Sequence, residues 1–539
     1  MVLIRPRRTA AALAAATCAV TLSACGLNGQ KAALGAGDTS RTLTAVTMGT
    51  IKHLTGPQDP GSQIAMTMCE GLTRLDATNG VRMAAAKSVT TTDNKTWKVV
   101  LQPNRTFDNG EPITAQTWVD SWNFTAYGPN GLVSNYAFEP LQGYDALNPE
   151  NPDSKPKTDK LSGLKVVDKY TFTVTMAAPN NELPFMLSGL AFCPMPKSAF
   201  EDPAAYDKHP IGNGPYKFSS FDARKGAVVV DNPRYRGWRQ PSPPSAIEFR
   251  VYNDANTAYN DVAAGNVDIM RNLPPALVSQ AKRTLGPKGV TVMPANVLEQ
   301  YVTWPTYLDK SYPAEVRKAF SMLIDREGIA KYLFLGSSAA ARSLVPNSVT
   351  SYRPDPCGQT CDYNPAEAKR LLDKAQFRGT IPVYYASDSA ANATTDASTV
   401  TAITNAAKRV GLTIEPKPTP GNQLTEMVSD HALTGPSIQL WGSSFPGSSE
   451  WIASIQVDAN YGLKYQNPTV ATAVKRAVAA PSRAESDRAW NTAEDQILAD
   501  QVMQPLFYQR EYIGHRPCAR PGASGGDMII VRTEFTCRS

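Results

Sequence analysis

Short segments in the first half of the chain alternate hydrophobic and polar residues. Residues 97–101 (WKVVL), 170–176 (YTFTVTM) and 247–251 (IEFRV) each place a large apolar side chain at every second position. Because successive side chains of a strand point to opposite faces, this period predicts β-strands with one buried face. The dipeptide Asn109-Gly110 adds a turn signal after the first of these strands.

The second half of the chain carries the period of amphipathic helices together with helix-start signals. The segment from Pro313 to Gly336 predicts one helix that begins at a proline and stops at a glycine. Three further helices are predicted to begin after the N-cap residues Asn364, Asn467 and Ser482. Strands in the first half and helices in the second predict a mixed α/β protein.

Composition places the chain among ordinary globular proteins built from more than one domain. It has 539 residues, of which 42% are hydrophobic and 19% charged, and its 42 prolines indicate many loops. The formal net charge is +6, but three of the arginines lie within the first eight residues. Without them the positive excess is halved, so nucleic acid is not indicated as a partner.

The first 25 residues have the organisation of a secretory signal. A basic start is followed by an apolar run from Ala10 to Leu22, too short to span a membrane, and by the motif LSAC ending at Cys25. The motif resembles a bacterial lipobox, which predicts cleavage of a signal peptide, residues 1–24, and lipid attachment to Cys25. An ordinary signal with a chance cysteine is the alternative. Residues 25–40 would then form a flexible tether.

The remaining cysteines agree with export. An even number of cysteines outside the cytoplasm predicts disulfide bonds, and six candidates remain: Cys69, Cys193, Cys357, Cys361, Cys518 and Cys537. Proximity in the chain favours pairing the third with the fourth and the fifth with the sixth, which leaves the first two, but other connectivities stay open. A zinc site is the rival interpretation; the chain has four histidines and no CxxC pair, so no metal is predicted.

No group of residues in the sequence predicts catalysis. Residues 522–526 (GASGG) match the nucleophile-elbow pattern around Ser524, but the strand and helix that this pattern requires are not predicted on either side. The histidines are isolated, without a spaced partner for general-base or metal chemistry. We therefore expect no enzyme and no cofactor, with a secreted serine hydrolase using Ser524 as the alternative of a different class.

Several segments, read in order, resemble the peptide/nickel (oligopeptide- and dipeptide-binding) family of solute-binding proteins of ABC importers. The matching segments are 97–122 (WKVVLQPNRTFDNGEPITAQTWVDSW), 163–179 (GLKVVDKYTFTVTMAAP), 210–218 (PIGNGPYKF), 247–269 (IEFRVYNDANTAYNDVAAGNVDI), 312–334 (YPAEVRKAFSMLIDREGIAKYLF) and 362–375 (DYNPAEAKRLLDKA). Each match is moderately specific alone, whereas the ordered series is highly specific.

The resemblance implies a fold and a division into lobes. The expected fold is an α/β, two-lobed periplasmic-binding-protein-like architecture of the cluster C type, with an extra inserted subdomain and a cleft between the lobes. Lobe I would consist of residues 41–72, 207–293 and 506–539. The inserted subdomain would be residues 73–206, and lobe II residues 294–505.

The resemblance also implies a ligand-binding set in the cleft: Trp441, Gly442, Ser443, Ser444, Phe445, Tyr136 and Asp59. Many peptide-binding members of the family carry an aspartate three residues after the tryptophan that matches Trp441, and this carboxylate pairs with the peptide ammonium. Here that position is Ser444, and a neutral hydroxyl cannot offset a buried cation in the same way. The substitution puts the nature of the solute in question.

The function implied by the resemblance is that of an extracytoplasmic solute receptor. The protein would be a monomer, attached to the outer face of the cell membrane through Cys25, that captures a solute, first of all a peptide, and delivers it to an ABC permease and its ATPase. An oligosaccharide or a metal chelate is the alternative ligand. A signalling lipoprotein that kept the fold is a further alternative.

Overall fold

The computed structural model describes residues 41–149, 151, 154–293, 298–334, 338–388, 393–442, 445–522 and 530–537. The signal peptide, the lipidation site Cys25 and the tether therefore lie outside the described residues, as does Ser524. Among the helices that can be described, none is both long and apolar enough to cross a membrane.

The described elements comprise strands, α-helices and short 3-10 helices. The strands are β1 (Thr42–Met48), β2 (Thr73–Leu75), β3 (Val81–Met83), β4 (Ala86–Thr91), β5 (Thr96–Leu101), β6 (Leu164–Asp168), β7 (Thr171–Thr175), β8 (Tyr216–Asp222), β9 (Gly226–Asp231), β10 (Ala246–Tyr252), β11 (Ile269–Met270), β12 (Val290–Val292), β13 (Leu298–Thr303), β14 (Ser338–Ala340), β15 (Thr380–Ala386), β16 (Thr413–Thr419), β17 (Ser437–Gly442), β18 (Met503–Gln509), β19 (Tyr512–His515), β20 (Ala519–Arg520) and β21 (Glu534–Phe535). The α-helices are α1 (Gln63–Met68), α2 (Ala115–Ala126), α3 (Tyr144–Leu147), α4 (Leu183–Met186), α5 (Ser198–Glu201), α6 (Pro203–Lys208), α7 (Ala255–Ala264), α8 (Pro275–Thr284), α9 (Ala314–Ser321), α10 (Arg326–Tyr332), α11 (Pro365–Lys374), α12 (Ala393–Arg409), α13 (Gly421–Ser429), α14 (Asp458–Tyr461), α15 (Pro468–Ala479) and α16 (Arg483–Asp500). The 3-10 helices are Gly128–Asn130, Val133–Phe138, Leu190–Phe192, Thr306–Leu308, Gly358–Cys361, Ser448–Glu450 and Ala453–Gln456.

A seven-stranded mixed sheet forms lobe I, in the order β12-β19-β11-β1-β10-β9-β8. Its strands come from the start of the described chain, from residues 216–292 and from residues 512–515. β1 and β10 are parallel, with Thr42 opposite Ala246, whereas β9 runs antiparallel to β10. Ile247 and Phe249 are fully buried in the core on one face, so the predicted alternation in this segment is confirmed.

A four-stranded antiparallel sheet forms the inserted subdomain, in the order β4-β5-β7-β6. The apolar faces predicted for residues 97–101 and 170–176 pack together beneath helix α2. Two tryptophans of α2 fill this core, and the Trp122 ring lies edge-on to Phe172 at 5.6 Å between ring centroids. Edge-on pairs of this kind contribute beyond their buried area.

A six-stranded sheet forms lobe II, in the order β14-β18-β13-β17-β15-β16, with one hydrophobic core on each face. Val302 of β13 points into one core and its neighbour Tyr301 into the other, as the strand period requires. β18 pairs with β13 over residues 503–509, so the lobe boundary expected between 505 and 506 falls inside a strand. The chain instead leaves this sheet after Gln509.

The prediction of a single helix from Pro313 to Gly336 is wrong, because the structure has two helices there, α9 and α10. Asp325 caps α10 by accepting a hydrogen bond from Gly328 N at 2.9 Å. The buried Arg326 donates to Pro505 O at 2.7 Å and to Ser321 O at 3.0 Å. These bonds hold the break between the helices; Gly336 itself lies outside the described residues.

The other helix-start predictions are confirmed. Asn364 accepts from Glu367 N at 3.0 Å, Asn467 accepts from Thr469 N at 2.9 Å, and Ser482 accepts from Glu485 N at 3.3 Å. These are the bonds that N-cap side chains make to otherwise unpaired amides of a first helical turn.

All six candidate cysteines are paired. The bonds are Cys69–Cys193, Cys357–Cys361 and Cys518–Cys537, with Cα–Cα separations of 6.2, 5.7 and 4.9 Å. The first bond joins the segment that leads out of lobe I to the inserted subdomain. The last bond ties the C-terminal segment back to lobe I.

Candidate functional site

A cavity of about 1020 Å³ lies where the two lobes and the inserted subdomain meet. Its walls come from residues 60–75, 136–140, 180–192, 235–238 and 441–460. Apolar and aromatic side chains line it together with a small number of charged groups and backbone amides, which is the composition of a small-molecule binding site.

Trp441 forms part of the lobe II wall of this cavity. It lies at the end of β17, and its indole N–H donates to Glu450 O at 2.8 Å. Its ring is 5.0 Å from the ring of the buried Tyr461, centroid to centroid. These two contacts fix the orientation of a half-buried ring and leave apolar surface toward the cavity.

The rest of the predicted loop divides between described and undescribed residues. Gly442 and Phe445 line the cavity beside Trp441. Phe445 also packs against the core of the inserted subdomain, so it connects the lobe II loop to that subdomain. Ser443 and Ser444 lie outside the described residues. The role of Ser444 in place of an aspartate therefore stays a prediction.

Tyr136 lines the cavity from the subdomain side, with 52% of its surface exposed. It belongs to the 3-10 helix Val133–Phe138. The buried Ser134 anchors this helix, because its hydroxyl donates to Gly56 O at 2.8 Å and its amide donates to Pro57 O at 3.0 Å. The segment around Tyr136 is thus held against the loop that leads into α1.

Asp59 does not line the cavity, but the next two residues of the same loop, Pro60 and Gly61, do. The Asp59 carboxylate accepts from Gly61 N at 3.2 Å, which closes a local turn. Burial raises the pKa of Asp59. The predicted loop therefore reaches the cavity, whereas the Asp59 side chain bonds to the backbone of its own turn.

Hydrogen bonds join the inserted subdomain to lobe II beside the cavity. The buried Glu182 carboxylate accepts from Ser448 N at 2.9 Å and from the amide and hydroxyl of Ser449. Asn181 N donates to Val478 O at 2.8 Å, and the Asn94 amide donates to Ala480 O at 2.9 Å. These contacts close the cleft on this side.

Burial is the main influence on the Glu182 carboxyl and raises its pKa. The hydrogen bonds from Ser448 and Ser449 act in the opposite direction, because they stabilise the charged form. The nearby Glu450 carboxylate raises the pKa further.

The sequence does not predict a cluster of charged and aromatic side chains in the cavity wall. Arg74, Glu70 and Trp238 line the cavity, and the guanidinium carbon of Arg74 lies 5.1 Å from the centroid of the Trp238 ring. Arg532 lies 5.6 Å from the same ring. No local pattern could have brought these residues together, since they come from three distant parts of the chain.

The histidines expected to be isolated are in part paired. His53 Nδ1 lies 2.7 Å from Asp207 Oδ2, and His515 Nε2 lies 2.9 Å from Thr291 Oγ1. Neither histidine lines the cavity. Within the described ranges, no group of three or more His, Cys, Asp and Glu side chains could hold a metal ion.

The chain is similar to known solute-binding proteins. Residues 80–461 match the family described as bacterial extracellular solute-binding proteins, family 5, middle. The dipeptide-binding protein of Lactococcus lactis subsp. cremoris (strain MG1363) is 25% identical over 480 residues, covering 83% of this chain and 84% of the relative. The periplasmic murein peptide-binding protein MppA of Escherichia coli (strain K12) is 25% identical over 329 residues, which are 59% of each chain.

Solved structures show the same two-lobed fold. The ABC transporter substrate-binding protein CtaP from Listeria monocytogenes superimposes with a TM-score of 0.76 at 19% identity, covering 92% of this chain and 99% of that one. The family match spans most of the chain and includes most of the subdomain, most of lobe II and part of the cavity wall. The chain therefore belongs to the family 5 bacterial extracellular solute-binding proteins.

Proposed function

We propose that the protein is an extracytoplasmic receptor that captures a peptide in its cleft and delivers it to an ABC importer. The observation that carries the proposal is the cavity of about 1020 Å³ bounded by both lobes and the subdomain. This volume is at the upper end of the roughly 300–1,000 Å³ range of small-molecule sites. A cavity of that size suits a solute of several residues better than a single amino acid or an ion.

Backbone groups beside the cavity support a peptide as the solute. β17 pairs with β13 along its whole length, but with β15 only at Ser437. Toward Gly442 the second side of β17 has no strand neighbour among the described residues, and this end of β17 forms the cavity wall. An extended peptide could pair there through main-chain hydrogen bonds, while Trp441 and Phe445 supply apolar surface.

The proposal includes membrane attachment and the absence of catalysis. Lipid at Cys25 would hold the protein on the outer face of the cell membrane, with residues 25–40 as the tether, since two or more acyl chains give a stable anchor. The receptor would act as a monomer and release its peptide unaltered to the permease and ATPase. Ser524, between the paired Cys518 and Cys537 in the sequence, would then not act as a nucleophile.

Native mass spectrometry of the purified protein with a mixed library of tri- to hexapeptides tests this function. We expect a one-to-one complex with a subset of peptides and a matching rise in thermal stability, because a ligand that binds only the folded state stabilises it. Peptides released by acid should be intact. Binding of none of them, or recovery of cleaved peptides, would contradict the proposal.

A further inference from the structure

Two arginine side chains converge on one tryptophan of the cavity wall. Arg74, in β2, places its guanidinium carbon 5.1 Å from the centroid of the Trp238 ring, and Arg532 places its own at 5.6 Å. Arg74 and Trp238 line the cavity, as does Val531 next to Arg532. Trp238 is 39% exposed. Because both positive charges lie beside the same ring, they repel each other, and the Arg74 charge helps to lower the pKa of Arg532.

The acidic residues nearest to this pair already have partners. Glu70 accepts from Tyr235 Oη at 2.6 Å and lies 3.8 Å from Arg105. Asp76 accepts from Arg82 Nε at 2.8 Å, from Gly80 N at 2.8 Å and from Thr78. Neither acid lies within ion-pair distance of the two cavity arginines.

The Arg74 side chain makes no ion pair and no hydrogen bond to any residue that the structure describes, whereas its backbone belongs to the β2–β3 pair. Arg532 donates to Leu75 O, and its Nε is buried without a partner. Burial and the neighbouring Arg74 charge lower the pKa of Arg532. The two guanidinium groups thus have no carboxylate within ion-pair distance among the described residues, although Glu70 attracts Arg74 and Asp76 attracts Arg532 over longer distances.

The surroundings hold these groups in place before any solute arrives. The bond from Arg532 to Leu75 O fastens the C-terminal segment to β2. The Gln240 amide donates to Thr533 O and fastens the same segment to the loop that carries Trp238. The Cys518–Cys537 bond closes this region covalently. A fixed positive site of this kind loses little conformational entropy on binding.

We propose that Arg74, Arg532 and Trp238 form an anion subsite that takes a carboxylate of the captured solute, a proposal that rests on the receptor function proposed above. A guanidinium that covers a ring uses its face and keeps its N–H edge free for two parallel hydrogen bonds to a carboxylate. Such charge-assisted bonds are about twice as strong as neutral ones. The carboxylate is the C-terminus of a peptide or an acidic side chain.

Iodide quenching of Trp238 fluorescence tests the subsite without any peptide. Six of the eight tryptophans are at most 5% exposed, and the difference between the wild type and Trp238→Phe isolates the Trp238 signal. At low ionic strength, we expect the ratio of iodide quenching to neutral acrylamide quenching of this signal to be about threefold higher in the wild type than in Arg74→Gln, because positive charge without an ion-pair partner concentrates anions. Arg74→Lys should keep most of the enhancement.

Arg224→Gln is the matched control, because Arg224 is an exposed residue of lobe I between β8 and β9 and lies outside the cavity. It removes the same charge from the protein and should leave the quenching ratio of Trp238 unchanged. An equal ratio in the wild type and Arg74→Gln overturns the subsite, whether or not peptides bind.

Peptide binding identifies the source of the carboxylate. Three peptide libraries of equal length are compared: free acids with neutral side chains, the corresponding C-terminal amides, and amides with one internal glutamate. We expect amidation to weaken binding about tenfold in the wild type and little in Arg74→Gln, since a hydrogen-bonded charge pair is lost. If glutamate restores the affinity of the amides, an acidic side chain also fits.

The two proposals fail in different ways. Equal binding of free acids, amides and glutamate peptides overturns the carboxylate subsite and leaves the peptide receptor standing. Iodide enrichment that depends on Arg74, with no peptide bound from any library, supports the anion subsite and contradicts peptide as the solute.

Discussion

Trp441 is the aromatic residue of the cleft whose position is fixed on both sides, by the bond to Glu450 O and by the Tyr461 ring. Replacing it with alanine should weaken binding of a retained peptide about tenfold, equivalent to about 1.4 kcal/mol, because aromatic anchors carry much of the energy of a binding site. Isothermal titration with a peptide found by native mass spectrometry measures the change.

Leu440→Ala is the control for this variant. Leu440 precedes Trp441 on the same strand, is 38% exposed and does not line the cavity. Its truncation should leave affinity within about twofold of the wild type, as expected for a surface side chain. Similar losses in both variants would show that Trp441 acts through the strand and not through contact with the solute.

The Glu182 carboxyl predicts a dependence of stability on pH. Its folded-state pKa is raised above the ordinary value of 4.5, mainly by burial, so the folded protein binds a proton that the unfolded chain has released. The favourable contribution is complete below pH 4.5 and is lost as pH rises through the folded-state pKa. We expect Glu182→Gln, which is neutral throughout, to gain melting temperature relative to the wild type between pH 4 and pH 8.

Differential scanning calorimetry at several pH values makes the comparison. The side-chain oxygen of the introduced glutamine can still accept from the amides of Ser448 and Ser449, so the contact across the cleft is retained. A gap between the two melting temperatures that does not change with pH would contradict the raised pKa of Glu182.

The site could be predicted from the sequence only where local pattern or family resemblance pointed to it. The sequence predicts Trp441, Phe445 and Tyr136 as ligand-binding residues, and all three line the cavity. It does not predict Arg74 and Arg532, because their proximity depends on the return of the C-terminal segment to β2. Contacts between residues so far apart leave no spacing that a sequence pattern can detect.

At the scale of single elements, N-caps offer a direct test. Asn364 accepts from Glu367 N and begins α11. Its replacement by alanine should destabilise the first turn of α11 by about 1 kcal/mol, which makes amide exchange there about fivefold faster. Hydrogen–deuterium exchange with peptide-level mass spectrometry resolves this turn. Asn364→Asp keeps the acceptor oxygen and should exchange like the wild type. If Asn364→Ala also exchanges like the wild type, the Asn364 side chain does not stabilise this turn.

Helix starts that depend on neighbouring residues are predicted correctly from the sequence. The helix break that depends on a distant contact is not. The N-caps at Asn364, Asn467 and Ser482 depend on amides two or three residues away. The break between α9 and α10 depends in part on a bond from Arg326 to Pro505 O, 179 residues later in the chain. Helical periodicity continues through such a break, so it predicts a single helix.

At the scale of the whole molecule, the attachment proposed at Cys25 is open to test. Cells that express the full chain and are fed a palmitate analogue should label the wild type and retain it in the membrane fraction. Cys25→Ser should lose the label and leave that fraction, because a diacylated anchor would be absent. Cys18→Ser changes a cysteine inside the predicted signal peptide and should behave like the wild type. A labelled Cys25→Ser protein would contradict attachment there.

The chain passes between the two large sheets at two neighbouring places. β12 leads to β13 and β18 leads to β19, and the strands on each side of these passages are paired, β12 with β19 and β13 with β18. The connection from β12 to β13 includes residues 294–297, which lie outside the described residues, whereas Arg510 and Glu511 join β18 to β19. Short connections of this kind can absorb domain motion in a few backbone dihedrals.

The Cys69–Cys193 bond has a consequence for the kinetics of exchange. Because this bond fastens the inserted subdomain to lobe I, we expect the two to move as one body whenever the cleft opens. Opening the cleft on the subdomain side then requires the bonds of Glu182, Asn181 and Asn94 to lobe II to break together. We therefore expect the residence time of a captured solute to depend on contacts that the solute never touches.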